Sequence, residues 1–171
     1  MGLRAVRYVR ALRRGGFLRD VNLGHMRFAV ALFSFVLISC SSSSSGSDNY
    51  LEKAAKEPGA VKTSSGLIYR ELRPGTGPSP AASDTVKVNY RGTLTDGTEF
   101  DSSYKRNEPI SFPLSQVIPC WTEGVQKMKV GGKSQLVCPS VIAYGDPGRP
   151  PVIPGGATLI FEIELLGIGP S

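Results

Sequence analysis

The sequence predicts an α+β domain in which an antiparallel sheet of five or six strands wraps around one short helix. Three observations predict it: several runs alternate apolar and polar residues, turn residues separate these runs, and one run has helical spacing. The chain of 171 residues has room for one domain with a substantial core. We assign residues 1–39 to a leader or signal peptide, residues 40–65 to a tether with a short helix, and residues 66–168 to the folded domain.

The excess positive charge of the chain lies in its leader. The formal net charge is +6, and residues 1–27 hold seven arginines against one acidic residue, Asp20. The rest of the chain has 13 Lys and Arg against 13 Asp and Glu. A nucleic-acid-binding domain needs a basic surface, so we expect no nucleic-acid partner for this neutral domain.

An apolar run of 11 residues, 28–38, has the length of a signal-peptide core, whereas a bilayer-spanning helix needs roughly 20 residues. It ends in Leu37-Ile38-Ser39-Cys40, which resembles the lipobox of bacterial lipoproteins. The resemblance implies lipidation of Cys40; an ordinary export signal or membrane anchor is the alternative. Met26 would begin a signal of conventional length, in which case residues 1–25 would not be translated. We expect an exported protein on the periplasmic face of the outer membrane, because Ser41 rather than an aspartate follows Cys40.

The tether combines a flexible segment with a weak helix. Residues 41–47 are almost entirely serine and predict an extended spacer. Residues 49–57 contain good helix formers, and Pro58-Gly59 ends the helix. About two turns of helix are not stable without tertiary contacts.

The predicted strands follow in order. Residues 67–72 alternate, and residues 86–91 form a strand with one buried face. Asp96-Gly97 predicts a hairpin turn, because both positions accept a positive φ. Residues 161–165 form a late strand. The one helical signal is the i, i+4, i+7 spacing of Trp121, Val125 and Met128.

The sequence lacks the residues that several kinds of chemistry require. The only histidine, His25, is in the leader, so the domain has no imidazole base and no zinc site is expected. We expect neither a metal nor a cofactor. Cys120 and Cys138 are 18 positions apart, too far for a Cys-x-x-Cys redox motif. A structural disulfide and a pair of buried thiols both remain compatible with the sequence.

Aromatic residues are placed at strand ends, in the helix and in a glycine- and proline-rich loop. They are Tyr90, Phe100, Phe112, Trp121, Tyr144 and Phe161. Their local sequences resemble the FKBP family of peptidyl-prolyl cis-trans isomerases. The matching segments are 88–92 (VNYRG), 96–103 (DGTEFDSS), 121–125 (WTEGV), 143–145 (AYG), 153–154 (IP) and 157–161 (ATLIF). Residues 65–69 (SGLIY) resemble the bacterial subgroup that includes the macrophage infectivity potentiator.

The resemblance implies roles for the matched residues. Trp121 would form the floor of a proline-binding pocket. The walls and other substrate contacts would come from Tyr90, Phe100, Val117, Ile118, Ile153 and Phe161. The backbone N–H of Ile118 and the hydroxyl of Tyr144 would bind substrate carbonyls.

The resemblance also places a polar group, Asp101, beside the twisting amide, with Arg106 as its partner. A catalytic and a structural role for Asp101 are both open. This sequence departs from the family pattern at two places on the rim of the pocket. Ile110 stands where many members carry a phenylalanine, and the segment 114–118 is shorter than in the best-known eukaryotic members.

The implied activity is isomerisation of X–Pro bonds in unfolded or nascent exported proteins, and the pocket would also bind macrolide inhibitors. A proline-peptide-binding chaperone module with little turnover is the alternative. The lipid anchor would attach the protein to the membrane. Related periplasmic members dimerise through a long helical N-terminal region, and residues 48–65 are too few for such an arm. We therefore expect a monomer.

Overall fold

The computed structural model describes residues 46–169. The predicted leader, the predicted lipidation site Cys40 and most of the serine run lie outside the described residues. Within the described residues, no helix combines the length and the hydropathy that are needed to cross a bilayer.

The described chain forms seven strands, three α-helices and two short 3₁₀ helices. The helices are α1 (Gly46–Ala55), α2 (Ser103–Arg106) and α3 (Pro119–Gln126), and the 3₁₀ helices are Leu114–Gln116 and Ser140–Ile142. The strands are β1 (Ala60–Lys62), β2 (Ile68–Arg73), β3 (Thr85–Leu94), β4 (Glu99–Ser102), β5 (Ile110–Pro113), β6 (Lys133–Cys138) and β7 (Leu159–Gly169).

All strand pairs are antiparallel, and the order across the sheet is β1-β2-β6-β7-β3-β4, with β5 also paired to β3. The predicted fold class is confirmed, but the sheet has seven strands rather than five or six. The additional edge strand, β1, begins at Ala60, ahead of the predicted domain boundary at residue 66. Its three residues are too few to show a period-two pattern in the sequence.

Helix α1 covers the outer face of the sheet. Its Ala54 packs with Ile68, Val137 and Ile160 in a small cluster separate from the main core. The helix begins and ends a few residues earlier than the predicted 49–57. Such a short helix depends on this contact, because its own propensity does not stabilise two or three turns in water.

Strand β3 and the turn that follows it form as the sequence predicts. Val86, Val88 and Tyr90 point into the core, whereas the intervening Lys87 is exposed. The backbone N–H of Leu94 donates to Thr98 across the turn at 2.8 Å, and Gly97 adopts a φ of +88°. This hairpin brings β4 back beside the end of β3.

Helix α3 lies against the inner face of the sheet. It begins at Pro119, whose fixed φ suits the first helical position. A Cβ on Gly124 would lie 2.5 Å from Leu136 Cδ1, so the glycine permits the helix to approach β6 closely. A disulfide joins Cys120 of α3 to Cys138 of β6, with their Cα atoms 5.9 Å apart. The structure therefore has the disulfide, one of the two states that the sequence left open.

Candidate active site

A cavity of about 770 Å³ lies between α3, the inner face of the sheet and the loop between β6 and β7. Its volume falls within the range of small-ligand sites. Most of its lining is aromatic or aliphatic, and polar groups are few. The cavity is therefore suited to an apolar group attached to a polar chain.

Trp121, the predicted floor, lines this cavity and is nearly fully buried. Only 4% of its surface is exposed, and its ring meets three others edge to face. The ring centroids lie 5.2 Å away for Tyr90, 5.4 Å for Phe161 and 5.6 Å for Phe112. Such pairs add to the energy of burial, and together they fix the plane of the indole.

One wall of the cavity depends on a glycine. Phe100 packs edge to face on Phe161 with a centroid separation of 5.6 Å. Gly92 lies beneath this pair, and a Cβ there would be 2.5 Å from Phe100 Cζ and 3.1 Å from Phe161 Cε1. Gly92 is therefore required by the close approach of two rings.

Two hydrogen-bond donors at the cavity are available to a ligand. Ile118 precedes α3 in an extended conformation, and its carbonyl accepts from Trp121 N–H at 2.9 Å. No backbone carbonyl within residues 46–169 accepts from the Ile118 N–H. The hydroxyl of Tyr144 likewise makes no hydrogen bond to another described residue. A peptide in the cavity could accept from both groups.

Thr122 helps to position the segment that carries Ile118. Its hydroxyl donates to the carbonyl of Leu114 at 2.7 Å and so joins α3 to the preceding 3₁₀ helix. The short connection between them contains Val117 and Ile118, and both line the cavity.

Asp101 is held by a polar network at the edge of the cavity. The Tyr90 hydroxyl donates to Asp101 Oδ2, and Arg106 Nη1 donates to Asp101 Oδ1 at 2.6 Å. Arg106 Nη2 also donates to the Tyr90 hydroxyl at 3.1 Å. The backbone N–H of Ser102 adds a further bond to Asp101 Oδ1 at 2.9 Å. The predicted partnership between Asp101 and Arg106 is thus present.

The network keeps Asp101 ionised. Burial raises the pKa of Asp101, but the hydrogen bonds from Tyr90 and Arg106, together with the charge of Arg106, lower it below its usual value. Burial and donation to Asp101 raise the pKa of Tyr90, so this hydroxyl stays protonated at neutral pH. Asp101 is therefore an acceptor and a negative charge at neutral pH, and it is not a proton donor there.

The nine residues to which the sequence assigned substrate-binding or catalytic roles all line this one cavity. They are Tyr90, Phe100, Asp101, Val117, Ile118, Trp121, Tyr144, Ile153 and Phe161. Their contacts with a substrate stay predictions. Within residues 46–169 no group of three or more His, Cys, Asp or Glu side chains is placed to hold a metal ion.

The rim of the cavity differs from the one that the sequence predicts. Ile110 does not line the cavity; it is half-buried against the core and pairs with Val88. Phe112, two residues further on the same face of β5, lines the cavity instead. The wall on this side of the cavity therefore has an aromatic ring from Phe112.

Four further lining residues were missed by the sequence analysis: Gln116, Arg149, Pro150 and Val152. The loop that holds three of them has no period to indicate which side chains face inward. Its glycines and prolines were the one available signal that its conformation is defined.

An antiparallel sheet wrapped around one helix, with a largely aromatic-lined cavity between them, defines the architecture of this domain. A family model described as FKBP-type peptidyl-prolyl cis-trans isomerase matches residues 77–166. The chain belongs to this family.

Similar proteins agree with this assignment. The chain is 53% identical over 122 residues to the FKBP-type peptidyl-prolyl cis-trans isomerase FkpA of Escherichia coli K12, an alignment that covers 71% of this chain and 45% of the relative. It is 49% identical over 119 residues to the FKBP-type 22 kDa peptidyl-prolyl cis-trans isomerase of the same organism, covering 70% of this chain and 58% of that one. The chain thus spans about half the length of these relatives.

Solved structures share the fold. The crystal structure of FkpA from Escherichia coli aligns with a TM-score of 0.71 and 52% identity, over 72% of this chain and 58% of that one. A peptidyl-prolyl cis-trans isomerase from Pseudomonas syringae pv. tomato aligns with a TM-score of 0.67 and 39% identity, over 71% of this chain and 90% of that one.

Proposed function

We propose that this chain catalyses cis/trans isomerisation of the peptide bond before proline in exported proteins. The observation that carries the proposal is the apolar cavity on Trp121, beside which Ile118 N–H and the Tyr144 hydroxyl are free to donate. Membership of the isomerase family supports it.

The chemistry requires rotation and no bond cleavage. The planar amide has a barrier of roughly 18–20 kcal/mol, because rotation must break its resonance. That resonance form is charge-separated and is stabilised by water. A proline ring seated on Trp121 would place its amide in an apolar environment, where the planar form loses this stabilisation.

The two free donors would hold the chain on either side of the amide while it twists. Hydrogen bonds from Ile118 N–H and Tyr144 O–H to flanking carbonyls would fit the twisted form better than the planar one. Only such differential binding accelerates the reaction. No nucleophile takes part in this mechanism.

Asp101 would act beside the amide as a fixed negative charge. It could interact with the dipole that develops at the substrate carbonyl, or it could hold Tyr90 and Arg106 in place around the cavity. The network of hydrogen bonds supports the second role at least, since both partners are ordered by it.

We also propose that the protein is an exported lipoprotein at the periplasmic face of the outer membrane, related to the macrophage infectivity potentiator subgroup. The lipobox-like residues 37–40 support this proposal. Replacing Cys40 by serine should move the protein from the membrane fraction to the soluble fraction. An unchanged distribution would reject lipidation at Cys40.

The proposed partners are X–Pro-containing segments of unfolded or nascent exported proteins, the membrane through the lipid anchor, and macrolides that occupy the same cavity. We propose a monomer, because helix α1 (Gly46–Ala55) has only 10 residues and is too short for a long dimerising arm. Light scattering that shows a stable dimer would overturn this.

A second candidate function is a chaperone that binds proline-containing peptides and turns them over slowly. Exposed apolar side chains near the cavity favour it. Val152 at the cavity is 52% exposed, and Val141 in the neighbouring 3₁₀ helix is 80% exposed. Such surfaces are suited to unfolded chains.

A refolding experiment separates the two functions. A denatured protein whose refolding is limited by a proline bond regains structure over tens to hundreds of seconds. We expect a substoichiometric amount of the full chain to shorten this slow phase, and Tyr144→Phe to shorten it less. An unchanged slow phase with reduced aggregation would instead support the chaperone function.

A further inference from the structure

One arginine at the cavity has no ion pair with any residue that the structure describes. Residues 46–169 contain five arginines. Four of them pair with carboxylates: Arg70 with Glu57, Arg73 with Glu164, Arg91 with Glu99 and Arg106 with Asp101. Arg149 has no carboxylate of a described residue within 4.0 Å, although Asp146 lies three positions earlier in the same loop.

Arg149 lines the cavity and is exposed. The other charged residue of the lining is Asp101, whose charge is offset by Arg106. Of the two charged side chains that line the cavity, Arg149 is therefore the one without an ion-pair partner among residues 46–169.

The backbone of Arg149 is fixed even though its side chain is free. Its N–H donates to Ile153 O at 2.8 Å, and its carbonyl accepts from Ile153 N–H at 3.0 Å and from Val152 N–H at 3.2 Å. The preceding Gly148 adopts a φ of +64°, and a Cβ there would lie 2.5 Å from Ile153 O. The loop thus holds the base of the Arg149 side chain at one place on the rim.

We propose that Arg149 is a specificity-determining residue that selects substrates with an acidic side chain next to the proline. The inference rests on the proposed function. A peptide whose proline occupies the cavity must bring its flanking residues to the rim. There a guanidinium can donate two parallel hydrogen bonds to a carboxylate, which a lysine cannot reproduce.

The expected preference is modest. An exposed ion pair changes an equilibrium by about two- to fivefold. Salt screens such a pair, so the preference should shrink as ionic strength rises from about 0.05 to 1 M.

The test compares two matched pairs of peptides on the full chain. In one pair, Ala-Glu-Pro-Phe is compared with Ala-Gln-Pro-Phe; in the other, Ala-Ala-Pro-Glu is compared with Ala-Ala-Pro-Gln, all with blocked ends. Exchange between cis and trans forms is measured by NMR, and binding is measured in parallel by the fluorescence of Trp121. The binding measurement shows any preference for the glutamate peptide independently of turnover.

The variants are Arg149→Gln and Arg149→Glu. The control is Lys87→Gln at an exposed position of β3, which removes one positive charge, as Arg149→Gln does. We expect the wild type and Lys87→Gln to favour the glutamate peptide of at least one pair by about two- to fivefold. Arg149→Gln should abolish the preference, and Arg149→Glu should reverse it.

Equal binding and equal exchange rates of the glutamate and glutamine peptides with the wild type would overturn the inference. A preference for glutamate that persists in Arg149→Gln would also overturn it. Isomerisation of the glutamine peptides without any charge preference would leave the proposed function standing. A preference in binding without isomerisation of any peptide would support Arg149 and reject the enzyme.

Discussion

The hydroxyl of Tyr90 donates a hydrogen bond to the carboxylate of Asp101, and Arg106 donates to both of them. Tyr90 also packs against Trp121 with its ring centroid 5.2 Å away. The base of the cavity and its charged edge are therefore connected through one side chain. A change at the ionic edge should affect the aromatic floor.

The first prediction concerns Arg106→Gln and its dependence on pH. The folded state holds the pKa of Asp101 below its usual value. Asp101 therefore contributes stability that is fully present above the unfolded pKa of about 3.9 and is lost as the pH falls through the folded pKa. Arg106→Gln should raise the folded pKa of Asp101 and lower the free energy of unfolding at pH 7.

Urea unfolding of wild type and Arg106→Gln at pH 7, 4 and 2.5 tests this. The difference between the two proteins should be largest at pH 7 and should shrink as the pH falls through the folded pKa of Asp101. Lys87→Gln is the control. A difference that does not change with pH would show that Arg106 acts by packing alone.

The second prediction concerns the glycine beneath the wall. Gly92→Ala places a Cβ within 2.5 Å of Phe100 Cζ, so the ring must shift. We expect the free energy of unfolding to fall by about 1–3 kcal/mol and the affinity for proline peptides to fall with it. Gly167→Ala is a matched control, because a Cβ there meets no atom within 4 Å. Equal effects of the two substitutions on peptide affinity would contradict the role of Gly92.

The third prediction uses the single tryptophan of the chain. A proline ring that rests on Trp121 should change its fluorescence, because it displaces water from the cavity. We expect a saturable change on titration with an Ala-Leu-Pro-Phe peptide and little change with the matched Ala-Leu-Ala-Phe peptide. The same response to both peptides would show that the floor does not recognise proline.

The fourth prediction concerns the disulfide between Cys120 and Cys138, which are both fully buried. It closes a loop with a sequence separation of 18, for which constraint of the unfolded chain contributes about 3 kcal/mol. The Cys120→Ala/Cys138→Ala protein should lose stability of this order. In the unfolded wild type, alkylation without reductant should leave both cysteines unmodified. Modification of both would contradict the bond.

The strands that the sequence revealed are those with one buried face. In β3, the buried Val86 and Val88 alternate with more exposed neighbours, and the hairpin at Asp96-Gly97 follows from the turn residues alone. Strand β6 gave no such signal. Its buried Ser134 interrupts the apolar pattern, and it is tolerated because its hydroxyl donates to Tyr69 at 2.9 Å.

The floor of the site could be predicted more fully than its rim. Trp121 and Tyr90 lie in segments with family-like neighbours and clear periodicity. The rim depends on tertiary placement: Phe112 rather than Ile110 reaches the cavity, and Arg149 is brought there by a loop. No local pattern indicates that Arg149 lacks the ion pair that every other described arginine makes.

The central claim is that this cavity accelerates rotation about the X–Pro bond. The direct test is NMR exchange spectroscopy of an Ala-Leu-Pro-Phe peptide with a catalytic amount of the full chain. We expect the cis–trans exchange rate to rise in proportion to protein concentration, and Tyr144→Phe, which removes one donor, to reduce the rise. An exchange rate that stays at its uncatalysed value, while Trp121 fluorescence shows the peptide to be bound, would contradict it.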